Sequence, residues 1–247
     1  MTNWRLIKRT WCLWPARPKA LIEVIGGSYL SGSPQISYKR LLEGLYNKNL
    51  AIHAWTYLPR IDHQTQANEA WKEFRSCKNK LENRVGVKLK SIRVGHSLGC
   101  KLHLLAPDGG RNASSLIAIS FNNFTAIKSI PLFSKFQSKT TKYRDFHPNP
   151  IETLRLIREC YIQPSNLLIR FKEDNIDETS KLLGCLRNRS REDNSHTVEM
   201  DGDHLSPASF GLRQNLLGQW ANDKSKRETI NNLIETINNW SSSFSCS

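Results

Sequence analysis

Short apolar runs recur along the chain at residues 20–25, 50–57, 91–94, 115–120, 167–171 and 197–200. The first ends at Gly26-Gly27 and the second stops ahead of Pro59, so length and punctuation predict buried strands. Between these runs the apolar period lengthens. Residues 38–46 put Leu41, Leu42 and Leu45 on one helical face, and 66–83 form a charged helix. Residues 98–105 form a helix that stops before Pro107 and Gly109-Gly110. Residues 151–161 follow Pro150 as another helix, and 230–240 make a C-terminal one. Strands alternating with helices predict an α/β fold, with a mostly parallel central sheet flanked by helices on both faces. Ahead of it, Trp4, Leu6 and Ile7, then Trp11, Leu13 and Trp14, predict a short N-terminal hairpin. Residues 122–149 are polar, basic and punctuated, which predicts an irregular, lid-like excursion. A length of 247 residues suits one domain spanning 1–247.

Charge adds a question to this picture. Lys and Arg number 36 against 22 Asp and Glu, a formal net charge of +14. Such an excess attracts anionic membrane, nucleic acid or anionic substrate. The basic residues are spread thinly, however: Arg5, Lys8 and Arg9, a loose series from Lys72 to Arg93, then Arg155 and Arg158. No run of five like charges occurs, and no aromatic RNA-binding signature accompanies them, so specific nucleic-acid binding is not expected. Peripheral contact with an anionic membrane remains open. The six cysteines form no CxxC pair, which predicts free thiols in a reducing compartment. His and Cys lack metal-ligand spacing, and neither a metal nor another cofactor is expected. No apolar stretch is long enough for a transmembrane helix, and residues 1–18 lack the apolar core and cleavage site of a secretory signal.

Gly95-His96-Ser97-Leu98-Gly99 joins an apolar strand to an apolar helix. A serine hydroxyl is a weak nucleophile, and a sharp strand-to-helix turn exposes it above the sheet where a base can reach it. Strand and helix then pass so close that glycine is wanted on either side. Ser97 is the candidate nucleophile of this elbow. The base belongs in the loop after the last strand, where His204 stands in Asp201-Gly202-Asp203-His204-Leu205-Ser206-Pro207. The other histidines read as surface or satisfied core residues. The acid belongs after the strand at 167–171, where Asp174 and Asp177 compete; Asp174 has the better distance, while Asp177 suits a cap for a helix beginning near Glu178. Oxyanion donors are expected from the backbone of Leu98 and of the first-strand turn, Gly27 and Ser28. Tyr29 and Tyr38, close to that turn in sequence, are further candidates for the same cleft, without an assigned place.

Several stretches carry a resemblance: Val24-Ile25-Gly26-Gly27-Ser28, Ser33-Pro34-Gln35-Ile36-Ser37-Tyr38, Gly95-His96-Ser97-Leu98-Gly99, Ile119-Ser120-Phe121-Asn122-Asn123, Asn149-Pro150-Ile151-Glu152-Thr153, residues 169–179, and Gly202-Asp203-His204-Leu205-Ser206-Pro207. Together, over residues 4–240, the chain resembles the α/β-hydrolase-like proteins of cyanobacteria and plant chloroplasts, domain of unknown function family 1350. The resemblance implies the α/β-hydrolase fold and a cytoplasmic (cyanobacterial) or plastid-stromal setting, but no substrate. One departure from ordinary lipases is Ile25, where they often carry His before the glycines. The expected activity is a serine hydrolase acting on an ester, thioester or lipid-like acyl bond through Ser97, His204 and Asp174. The competing expectation is a non-catalytic binding or assembly protein on the same scaffold.

Overall fold

The structure, a computed structural model, describes residues 2–125, 145–208 and 224–244. Strands form where the apolar runs lie: the hairpin β1 (Arg5–Ile7) and β2 (Thr10–Leu13), then β3 (Ala20–Ile25). The short α1 (Pro34–Ser37) and α2 (Lys39–Asn47) lead to β4 (Leu50–Trp55). The long α3 (His63–Val85), β5 (Ser91–His96), α4 (Leu98–Leu104) and β6 (Ser115–Ile119) follow. The remainder comprises α5 (Pro150–Cys160), β7 (Ser165–Phe171), α6 (Thr179–Arg187), β8 (Asn194–Met200) and α7 (Lys224–Ser242). The excursion expected at 122–149 falls largely on 126–144, outside the described residues.

These strands make one eight-stranded sheet in the order β1-β2-β4-β3-β5-β6-β7-β8. Only the hairpin and its junction with β4 are antiparallel; β4 through β8 pair in parallel. The chain leaves β3 for β4 on one side and returns to lay β5 on the other. That reversal opens a crevice beyond the carboxyl ends of β3 and β5, the usual ligand position in such sheets. Ile25 and Gly95 are register partners at its floor.

Period-two alternation divides the strand side chains between two helical layers. Ile22, Val24, Ile52, Ile92, Val94 and Ile117 pack with Leu41, Leu42 and Leu45 of α2 and Leu233, Ile234 and Ile237 of α7. On the opposite face, Ile25 and Trp55 meet Ala67, Ala70 and Phe74 of α3 and Leu98 and Leu102 of α4. Leu116, Ala118 and Leu168 meet Ile157 of α5 and Leu182 and Leu186 of α6. Each such aliphatic side chain, fully buried, contributes roughly 1.5–3 kcal/mol. The same alternation turns Glu23 and Arg93 inward. Arg93 forms a bidentate bond to Asp108 at 3.0 and 2.7 Å and approaches Glu23 at 3.8 Å.

Several boundaries differ from the apolar pattern, and two have a clear cause. Helix α3 starts at His63, three residues before the expected Gln66, because the Asp62 carboxylate caps it and accepts from Thr65 N–H at 2.8 Å. It ends at Gly86, whose φ of 74° makes the left-handed C-cap. Strand β8 begins at Asn194 rather than Thr197. It lies at the sheet edge and pairs through its backbone, so its polar first residues leave no apolar trace. Among the described residues no helix is long and apolar enough to cross a membrane. Cys12, Cys77, Cys100, Cys160 and Cys185 are free thiols; Cys246 lies outside the described residues.

Burial, the largest cause in each case, lowers the pKa of His53, His63, His96 and His103 to about 3 from the usual 6.5. All four are therefore neutral in the folded protein, whereas the unfolded chain protonates them below about pH 6.5. Between those limits the unfolded state binds more protons, so stability falls on acidification, by up to about 1.4 kcal/mol per pH unit for each histidine. The urea midpoint is expected to drop steadily from pH 6.5 to 4, with proton uptake on unfolding in calorimetry. A flat midpoint over that window would mean the histidines are not held neutral.

Candidate active site

Ser97 follows the last residue of β5 and precedes the first of α4. Its φ of 55° and ψ of −121° place a non-glycine residue in a strained region, which persists only where the surroundings enforce it. The enforcement is visible on both sides. A Cβ on Gly99 would lie 1.9 Å from the Ile25 carbonyl oxygen, and one on Gly95 would lie 2.5 Å from Cys100 Cα. Glycine therefore lets α4 close onto β3 and β5. The Ser97 N–H donates to Ile119 O at 2.9 Å, which ties the elbow to β6.

His204 stands in the loop after β8, with its Nε2 3.1 Å from Ser97 Oγ. Its Nδ1 lies 2.8 Å from Asp174 Oδ2. Asp174 is fully buried at its side chain. Burial works to raise its pKa, but the hydrogen bond from His204, helped by the Ile176 N–H, outweighs it and holds the carboxyl below its usual range. A carboxylate accepts only, so Nδ1 carries the proton and Nε2 presents its lone pair to Ser97. Asp177 is occupied elsewhere. Its oxygens accept from Thr179 N–H at 2.9 Å and Thr179 Oγ at 2.7 Å, at the start of α6. Of the two expected aspartates, the structure brings Asp174 to His204.

Ser97 Oγ has a second neighbour that sequence reading left without a role. Asn122 Nδ2 donates to it at 2.9 Å. With one lone pair taken by Asn122, the hydroxyl proton is free to point at His204 Nε2. The signal was the Phe121-Asn122-Asn123 stretch just past β6, where the C-terminal strand end faces the crevice.

His96 is the satisfied core histidine that the sequence suggested, buried with both ring nitrogens hydrogen-bonded, and it also borders the site. Its Nε2 lies 2.8 Å from the His204 carbonyl oxygen, which can only accept, so Nε2 carries the proton. Its Nδ1 must then accept, and Tyr38 Oη–H donates to it at 2.8 Å. Tyr38 Oη in turn accepts the Gly27 N–H at 2.8 Å. This chain corrects the oxyanion expectation at Gly27, whose N–H is already committed to Tyr38. The Leu98 and Ser28 N–H groups have no acceptor among the described residues. The turn is held further by Tyr57 Oη–H to Gly26 O and by Ser31 Oγ–H to Gly27 O, both at 2.9 Å.

Two cavities open beside Ser97. One of about 330 Å³ is lined by Ser97, His204, Leu205, Ile176, His96 and Gly27. The other, about 350 Å³, runs past Leu98 and Asn122 to Lys101, His63, Phe146 and Ile61. Ser28, Tyr29, Asn122 and Phe124 border both. His63 too was read as a surface or satisfied histidine. It is 2% exposed, and neither ring nitrogen has a hydrogen-bond partner among the described residues.

The chain matches the family described as protein of unknown function (DUF1350) over residues 3–241. No curated protein matches it in sequence. Among solved structures, it is similar to a soluble variant of monoglyceride lipase from Saccharomyces cerevisiae, solved with a substrate analog. The TM-score is 0.63 at 11% identity, covering 97% of this chain and 94% of that one. A monoacylglycerol lipase from Paleococcus ferrophilus gives 0.58 at 13% identity, over 96% and 99%. FphF, a fluorophosphonate-binding serine hydrolase of Staphylococcus aureus, gives 0.56 at 14% identity, over 83% and 91%. At these identities the likeness is one of fold, the α/β-hydrolase fold of lipases and esterases.

The Gly27–Tyr38–His96–His204 chain generates a stability prediction. Tyr38→Phe removes the acceptor of one buried N–H and the donor to one buried imidazole nitrogen. Each unpaired group costs about 1–3 kcal/mol. Urea unfolding of Tyr38→Phe is expected to show a stability loss of at least about 2 kcal/mol. An unchanged midpoint would mean that this chain does not form in solution.

Proposed function

The chain belongs to the family described as protein of unknown function (DUF1350), and within it we propose a serine hydrolase that cleaves an acyl ester or thioester, with Ser97 as nucleophile, His204 as base and Asp174 as the acid that orients it. One observation carries this reading: Asp174 Oδ2, His204 and Ser97 Oγ are joined by contacts of 2.8 and 3.1 Å. The backbone strain at Ser97 supports it, since such strain needs a reason. So does the scaffold, whose structural neighbours include lipases and a fluorophosphonate-binding serine hydrolase.

The reaction follows from proton positions. Ser97 Oγ attacks the acyl carbon as its proton passes to His204 Nε2. The new imidazolium is stabilised by Asp174. Negative charge develops on the former carbonyl oxygen, and the N–H groups of Leu98 and Ser28 are the donors left to receive it. Collapse breaks the bond to the leaving oxygen or sulfur, which takes the proton from His204. Water then attacks the acyl-enzyme, gives a proton to His204, and the acid departs as Ser97 Oγ is reprotonated.

A fluorophosphonate is expected to label the wild-type protein at Ser97 and to leave folded Ser97→Ala unlabelled, while His204→Gln slows labelling by about a thousandfold or more. A folded wild-type protein that stays unlabelled would overturn the enzyme reading in favour of a binding role on this scaffold. Asn122→Ala is expected to lower kcat/KM on a simple ester by about tenfold or more, the size of one lost donor at the reacting oxygens. Equal kcat/KM in the two proteins would remove Asn122 from the mechanism.

A further inference from the structure

The cavity that runs from Leu98 to Lys101 holds polar groups that the reaction above does not use. Lys101 lies one helical turn beyond Ser97 on α4, and it is 1% exposed. An ammonium has three donors. Among the described residues Lys101 Nζ has one hydrogen-bond partner, the Pro148 carbonyl at 2.9 Å. Its cationic head also lies 5.9 Å from the centre of the Phe146 ring. The Asp145 and Glu152 charges act on it from further away, without an ion pair to either. Beside it, His63 packs against the same Phe146 ring, with centroids 4.3 Å apart, and its two ring nitrogens have no partner among the described residues. Burial lowers Lys101 to about 8 and His63 to about 3. At neutral pH the first is therefore predominantly a cation and the second a neutral ring with one N–H to give. A buried cation with unused donors costs free energy unless an anion or strong acceptor meets it.

The division of the two cavities decides which part of a substrate comes here. The leaving group must take its proton from His204, so it belongs in the cavity lined by His204 and Leu205. The cavity lined by Lys101 does not include His204 and is left for the acyl chain. Its lining includes the apolar side chains of Leu98, Ile61 and Phe124, which suit methylene groups. The backbones of Ser97 and Lys101 are separated by a helical rise of about 6 Å, which sets the scale for a short acyl chain.

We propose that this cavity binds a carboxylate at the far end of the acyl chain, through Lys101 Nζ and the His63 N–H, so that the preferred substrates are half-esters or half-thioesters of short dicarboxylic acids. This rests on the serine-hydrolase reading for turnover, but not for binding. It also gives one of the chain's many cations a specific task, independent of the diffuse surface charge.

The test compares 4-nitrophenyl hydrogen adipate with 4-nitrophenyl hexanoate, which have the same chain length with and without the terminal carboxylate. Wild-type kcat/KM is expected to favour the adipate by about tenfold or more, and Lys101→Met to lower that ratio at least tenfold, the size of a charge-assisted hydrogen bond. A second measurement needs no turnover. Monomethyl adipate is expected to bind Ser97→Ala in calorimetry and not Ser97→Ala with Lys101→Met, both checked for folding by circular dichroism and urea midpoint. If Lys101 only anchors Pro148, its loss changes both substrates alike; an unchanged ratio together with unchanged binding would overturn the proposal. Should the wild-type protein resist the fluorophosphonate while monomethyl adipate binding still depends on Lys101, the hydrolase reading falls and the anion site stands. Should labelling succeed while neither ratio nor binding depends on Lys101, the anion site alone falls.

Discussion

The proton on His96 Nε2 is shared with the backbone carbonyl of His204, and much of the site depends on that bond. His204 stands on the loop after the edge strand β8. The bond pins the main chain of this loop to the end of β5, one residue before Ser97. It also fixes the tautomer of His96, which forces Tyr38 to donate to Nδ1 and so leaves Tyr38 Oη to accept from Gly27. Three segments far apart in sequence are thereby held at fixed spacing: the turn after β3, the elbow after β5 and the loop after β8. Were His96 charged, Nδ1 would be a donor, and the bond to Tyr38 would have to reverse with Tyr38 Oη accepting from both Nδ1 and Gly27. Burial keeps it neutral by pushing its pKa down to about 3.

The sheet order explains why these segments meet. Strands β3 and β5 are neighbours although β4 intervenes in sequence, and the reversal leaves their carboxyl ends open to the same crevice. The elbow narrows that crevice further. Helix α4 can approach β3 only because Gly99 lacks a side chain, and the approach carries the first N–H groups of α4 to the crevice beside the β3 turn. Backbone strain at Ser97 is the cost of this arrangement. It is offset by the buried layers on both faces of the sheet rather than by anything at the serine itself.

Asymmetry between the two cavities gives the proposed chemistry a direction. The proton donor to a leaving group borders one of them, while the buried lysine borders the other. A net charge of +14 spread thinly over the chain has no evident target, but a lysine almost without exposure is a different physical object. It is buried, and its carbonyl partner among the described residues does not neutralise it. Its place in a buried helix that is apolar but for His103, between Cys100 and Leu102, marks it in the sequence once burial of that helix is known.

Local signals were enough for the α/β class, the parallel sheet, the N-terminal hairpin and the elbow, because apolar period and glycine punctuation act over a few residues. They also ordered Ser97, Asp174 and His204 along the chain, since each follows its own strand end. Helix and strand boundaries were less legible where a cap, as at Asp62, or an edge strand with polar residues, as at Asn194, carried the element. What only the tertiary structure decided was the direction of each hydrogen bond. Asp174 rather than Asp177 faces His204, Gly27 gives its N–H to Tyr38, Asn122 reaches Ser97, and Lys101 and His63 share a buried wall. The physical reason is that residue type states what a side chain is able to donate or accept. Which partner it meets depends on packing between segments as much as 107 residues apart, the separation of Ser97 and His204.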